Sequence, residues 1–202
     1  MRGRTTLWTA AASFAVALAI VIISRLGLGP GDRVAAALRA TARWSFLLFW
    51  LAYAGSALAT VFGQRFQALA RHGRDFGLAF ASAHLAHLGV VAWIYYGSLE
   101  QPFTQFTIIF FGIAAIWTYV LVILSIKRLS ARLNPRVWRT VRTLGVEYIA
   151  LAFLADFAKN PFQDGLASLL AYLPFQLLAV AGPLLRLAAL TKRLSQVRRL
   201  AV

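Results

Sequence analysis

The stretch "LWTAAASFAVALAIVII", Leu7–Ile23, carries no charged side chain. It approaches the roughly 20 apolar residues that a helix needs to cross a bilayer core. Five more such segments follow, at about Trp44–Phe62, Phe76–Tyr96, Phe106–Ile126, Val141–Ala158 and Leu166–Leu190. Hydrocarbon offers no water to backbone N–H and C=O groups, so a spanning segment without a closed barrel must be helical. This pattern predicts an all-α, polytopic membrane protein: a six-transmembrane-helix bundle formed by residues 1–202 as a single domain. The fifth segment is the most polar of the six. The sixth carries Pro174 and Pro183, which are expected to kink it. The first resembles a signal peptide, with Arg2 and Arg4 ahead of it, but its long core and the lack of an A-x-A site favour a retained helix.

Composition supports this class. Of 202 residues, 60% are hydrophobic and only 13% charged, against about a quarter charged in soluble domains. The net charge of +15 sits beside the spans, which argues for contact with anionic lipid rather than nucleic acid. With no cysteine, disulfides, thiolate zinc sites, iron–sulfur clusters and c-type haem attachment are excluded. Placing the N-terminus, the 2–3 and 4–5 loops and the C-terminus on one side gathers 16 of the 21 Lys and Arg residues there. The positive-inside rule then predicts two cytoplasmic termini in a bacterial-type inner membrane. "DRVAAALRATAR", Asp32–Arg43, reads as a short helix lying along the outer interface. Trp8, Trp44, Trp93, Tyr95, Tyr96 and Trp138 fall at span ends, as in an interfacial aromatic belt.

Ionisable groups inside a span are functional candidates by default. The third span carries His84 and His87, about 60° apart on one helix face. Sharing a face, they cannot supply opposite axial ligands to one haem. The remaining histidine, His72, precedes the same helix, and the only methionine is Met1. Tyr119 and Tyr148 are the alternative ligands within the spans, and an unusual choice. Hydrogen bonding to a facing helix is the competing role for both histidines. The fifth span brings Arg142, Glu147 and Asp156 as intramembrane polar contacts. Arg142 and Asp156 lie nearly on one face but about 21 Å apart along the axis, so they cannot pair. Glu147 faces elsewhere and would be a credible partner for His84 or His87.

"GRDFGLAFASAHLAHLGVVAWIYY" resembles the third helix of the ferric reductase-like transmembrane domain family. That family includes NADPH oxidases and the haem-binding membrane subunit of the periplasmic methionine sulfoxide reductase system. The match runs through Arg71, Arg74, Phe76-Gly77 and His87, the last ten residues after the glycine, where the family carries a haem ligand. "RVWRTVRTLGVEYIALAFLADF" resembles the start of the family's fifth helix through Trp138, Val141, Arg142, Thr143 and Leu144. The resemblance covers roughly residues 40–190. It implies b-type haem, with His87 as an iron ligand, and transmembrane electron transfer with a partner redox or membrane-complex subunit. Where the family places two fifth-helix histidines, this chain has Arg142 and Ala155 or Asp156. His84 is an additional candidate in the cofactor-binding region.

Two functional readings follow. One is a b-type haem electron-transfer subunit; the other is a haem-free six-helix scaffold or assembly subunit. Neither gives the chain a flavin or nicotinamide site of its own, and no catalytic residue is assigned. A small transporter is a third reading, disfavoured by the absence of an internal repeat.

Overall fold

The computed structural model describes residues 2–27, 30–97, 103–126, 134–158 and 165–200. Among these, the chain is all-helical. Helices α1 (Arg2–Gly27) and α2 (Pro30–Phe62) are followed by a 3₁₀ turn (Gly63–Phe66) and a short α3 (Gln67–Arg71). Then come α4 (Gly73–Gly97), α5 (Gln105–Leu124), α6 (Pro135–Phe157) and α7 (Gly165–Leu200). Five helical segments are long and apolar enough to cross a membrane: 6–24, 33–71, 73–97, 105–124 and 171–197. Together these make a multi-span membrane protein.

Two sequence expectations are revised. The fifth expected span, within α6, does not reach the apolarity of the other five. It packs Gly145, Ile149, Ala150, Ala152 and Phe157 into the bundle and spends its remaining faces on Arg139, Arg142, Glu147 and Asp156. Asp32–Arg43 is not a separate interfacial helix but the first turns of α2. At 1.5 Å per residue α2 is about 50 Å long, well beyond the roughly 30 Å hydrocarbon core. Arg33, Arg39 and Arg43 therefore ride on a helix that overshoots the apolar slab. The 4–5 loop residues 127–133 and Lys159 lie outside the described residues.

Local chemistry sets the helix boundaries. Thr104 caps α5 by accepting the Thr107 N–H at 3.2 Å. Asn134 caps α6 by accepting the Arg136 N–H at 2.9 Å, with Pro135 in the first turn. These side chains satisfy N–H groups that a helix start leaves open. Gly63, at φ +81°, makes the left-handed turn that ends α2, a conformation costly for other residues. The α7 helix runs unbroken through Pro174 and Pro183. Gln176 of that helix donates to the Phe157 carbonyl at the end of α6, at 2.7 Å.

The central helix is α2, which packs on α1, α4 and α7. Its Phe46 and Phe49 meet Phe80, Phe153, Phe157 and Phe175 in a ring-on-ring cluster, with centroids 4.9–6.2 Å apart for the pairs involving Phe46 or Phe49. Small residues bring the helices together: Ala79, Ala83 and Ala86 of α4 are buried, the kind of interface that lets membrane helices approach closely. Gly145 of α6 sits against the Trp117 ring of α5.

Polar contacts gather one end of the bundle. Thr6 donates to Asp75 at 2.6 Å, and Asp75 also meets His72 at 2.9 Å. Lys192 and Arg193 of α7 donate to the Val61 carbonyl and to Thr60 at the end of α2. Arg74 donates to the Ser125 carbonyl just past α5. The starts of α1, α4 and α6 thus share an end with the finish of α2, α5 and α7. By contrast, α5 leans on α6 and touches α4 sparsely, which leaves a cleft between α4 and α5.

Candidate functional site: two cavities in the α4–α5 cleft

The cleft holds two cavities. The one remote from the shared end has a volume of about 530 Å³ and is lined by His84 and His87. The other, at the shared end, is about 720 Å³ and is lined by Arg74, Arg139, Arg142 and Arg186. Phe80, Thr118 and Ile149 line both, so these three side chains form the partition between them. Arg142 and Asp156 are divided accordingly: Arg142 lines the arginine cavity and Asp156 the histidine cavity. This is the separation that their 14-residue spacing on α6 requires.

In the histidine cavity, the two imidazoles stand side by side with ring centroids 5.8 Å apart, as their shared helix face demands. Their partners differ. His87 Nδ1 lies 3.0 Å from Thr41 Oγ1 of α2. Thr41 is fully buried, and its hydroxyl lies 2.7 Å from the Ala37 carbonyl and 3.2 Å from that of Leu38. A hydroxyl has one proton, and both carbonyls accept only. With that proton on a carbonyl, the network assigns the His87 contact as Nδ1–H donating to Thr41 Oγ1. Nε2 of His87 is then left with its lone pair, on a side chain that lines the cavity. His84 Nδ1 lies 3.4 Å from the Tyr119 hydroxyl, a long and weak contact, and its ring packs on Phe80.

The rest of the cavity is mostly apolar, with three charged side chains, Arg39, Arg43 and Asp156, and one orphan. Arg39 and Arg43 line it from the overshooting part of α2. The Arg43 guanidinium stacks over Tyr172 and Phe175 at 5.4 and 5.2 Å. Ser45, fully buried and lining the cavity, has a hydroxyl with no partner among the described residues. Neither Thr41 nor Ser45 was singled out in the sequence. The available signal was their i, i+4 spacing, which places two polar side chains on one face of an apolar helix.

Glu147 does not face the histidines. Its carboxylate accepts the Tyr53 hydroxyl at 2.7 Å and the Arg186 guanidinium at 2.8 Å, and Arg186 stacks over the Tyr53 ring at 4.6 Å. This closed triad ties α2, α6 and α7 together. The sequence partner proposed for Glu147 is displaced because α2 lies between α7 and α4 and presents Tyr53 first. Tyr148 donates to the Phe110 carbonyl at 3.3 Å and does not line the histidine cavity.

These residues test the cofactor that the family resemblance implies. The histidine cavity offers the His87 imidazole, whose Nε2 keeps a lone pair in the tautomer assigned above, apolar and aromatic walls, and two guanidinium groups able to meet carboxylates, together with the Asp156 carboxyl. That set fits one haem with a single imidazole ligand. A bis-histidine site does not fit: among the described residues the only other histidine at this cavity is His84, on the same face of the same helix. A second haem at the Arg142 position does not fit either, because no histidine lines the arginine cavity. Among the described residues, no group of three or more His, Cys, Asp or Glu side chains is arranged to hold a metal ion. No family model, curated protein or solved structure matches this chain.

Proposed function

We propose that this membrane protein is a b-type haem electron-transfer subunit whose histidine cavity would hold one haem, with His87 Nε2 as the atom that would bind its iron. The observation that carries the reading is the Thr41–His87 hydrogen bond. Metal-ligating histidines characteristically donate their other ring N–H to an acceptor that fixes tautomer and orientation, and Thr41 supplies that acceptor. Arg39 and Arg43 are assigned to the cofactor's carboxylates, and His84 to a wall of the cavity rather than to the iron. When bound, haem b supplies one-electron redox chemistry. Donor and acceptor come from partner membrane or redox proteins, and the arginine-rich end faces the cytoplasm of a bacterial-type inner membrane.

A second reading is favoured by the Tyr53–Glu147–Arg186 triad: a haem-free scaffold whose polar residues serve helix packing. The two separate on one spectrum. Protein purified in detergent after haem-replete expression is expected to show reduced-minus-oxidised Soret and α bands. Their absence favours the scaffold.

A further inference from the structure

The arginine cavity is not used by the function proposed above, and its chemistry is distinct. Four guanidinium groups, from α4 (Arg74), α6 (Arg139 and Arg142) and α7 (Arg186), line it, and none of its lining residues is acidic. The nearest carboxylate engaged with the set is Glu147, already bound to Arg186 and Tyr53. Arg74 is tethered to the Ser125 carbonyl at 3.3 Å. Arg139 and Arg142, one turn apart on the same face of α6, show no hydrogen bond or ion pair to any described residue. Like charges held together at the edge of a low-dielectric bundle repel one another, and among the described residues no carboxylate pairs with Arg74, Arg139 or Arg142.

Away from the charges the cavity changes character. Leu78, Leu121, Val146 and Ile149 form its deeper wall, and the sparse contact between α4 and α5 leaves a slot beside them. We propose that this cavity binds an anionic amphiphile, with a phosphate-bearing head among Arg74, Arg139, Arg142 and Arg186 and an apolar tail in the α4–α5 slot. Arginine forks match phosphate oxygens in pairs. The same end of the bundle carries the basic residues expected to meet anionic headgroups. The head offsets the repulsion among the arginines, and the tail fills a slot that two sparsely touching helices leave open.

The test is native mass spectrometry of the delipidated full chain with phosphatidylglycerol, phosphatidylcholine or inorganic phosphate added. Wild-type protein is expected to retain one phosphatidylglycerol about tenfold more tightly than phosphatidylcholine, and to gain thermal stability from it. Arg139→Gln/Arg142→Gln is expected to lose that preference, about tenfold in affinity for each charge-assisted contact removed. Its unliganded melting temperature should stay at or above the wild-type value, because no hydrogen bond or ion pair among the described residues is lost. Arg65→Gln, exposed at the same end and outside the cavity, should bind as wild type. Equal retention of the two lipids, or an Arg65→Gln loss matching that of the double variant, would overturn the site. Displacement of the lipid by equimolar inorganic phosphate would overturn the assignment to an amphiphile.

Discussion

Replacing Thr41 by valine isolates the contact on which the His87 assignment rests. Valine keeps the shape of threonine and removes only the hydroxyl, so the fully buried position stays filled. The Ala37 and Leu38 carbonyls lose little, since each already belongs to the α2 ladder. The loss falls on His87, whose Nδ1–H gives up an acceptor at 3.0 Å. An interhelical hydrogen bond of this kind is worth about 1 kcal/mol in a membrane protein, so Thr41→Val should lower the unfolding free energy by about that much. The effect on ligation should be larger. Losing the acceptor behind a metal-binding histidine typically costs 10–100-fold in affinity, or about 1.4–2.7 kcal/mol. Thr41→Ser retains the hydroxyl and should bind close to wild type. Titration of apo-protein with haem, followed at the Soret band, reads both variants. Wild-type affinity in Thr41→Val, together with loss of binding in His87→Ala, would refute the tautomer argument while leaving the ligand in place.

Other expectations follow from the same contacts. Gly145→Ala would place a Cβ 2.7 Å from the Trp117 ring and 3.1 Å from Leu121. Overpacking costs about 1–3 kcal/mol, against a helix gain of about 1 kcal/mol, so the variant should unfold more easily in detergent, by up to about 2 kcal/mol. A variant as stable as wild type would show that α5 shifts freely. Tyr53→Phe removes the 2.7 Å bond to Glu147 and should cost about 1 kcal/mol. Combined with Glu147→Gln it should cost less than the two single effects added, because both changes break the same bond. Strict additivity would contradict the triad.

Much of the fold could be read along the chain because membrane spanning is a local property. Apolar runs of bilayer length declare their helices, and the shared face of His84 and His87 follows from helical period alone. Errors arose where a residue's fate depends on a neighbour far along the chain. Asp32–Arg43 looks interfacial because its arginines dominate the local hydropathy, yet Thr41, Ser45 and Phe46 continue the same helix into the core. Glu147 finds Tyr53 and Arg186, 94 and 39 residues away, through the packing of α2 between its neighbours. The low apolarity of α6 was visible. That its polar faces divide between a histidine cavity and an arginine cavity was not, because the cleft between α4 and α5 is set by how tightly α5 packs on α6.

The reduced-minus-oxidised spectrum of the wild type beside His87→Ala and His84→Ala tests the central claim most directly. The account predicts a b-type signal in wild type, its loss in His87→Ala and its substantial retention in His84→Ala. A full spectrum in His87→Ala, or none in haem-replete wild type, would contradict it.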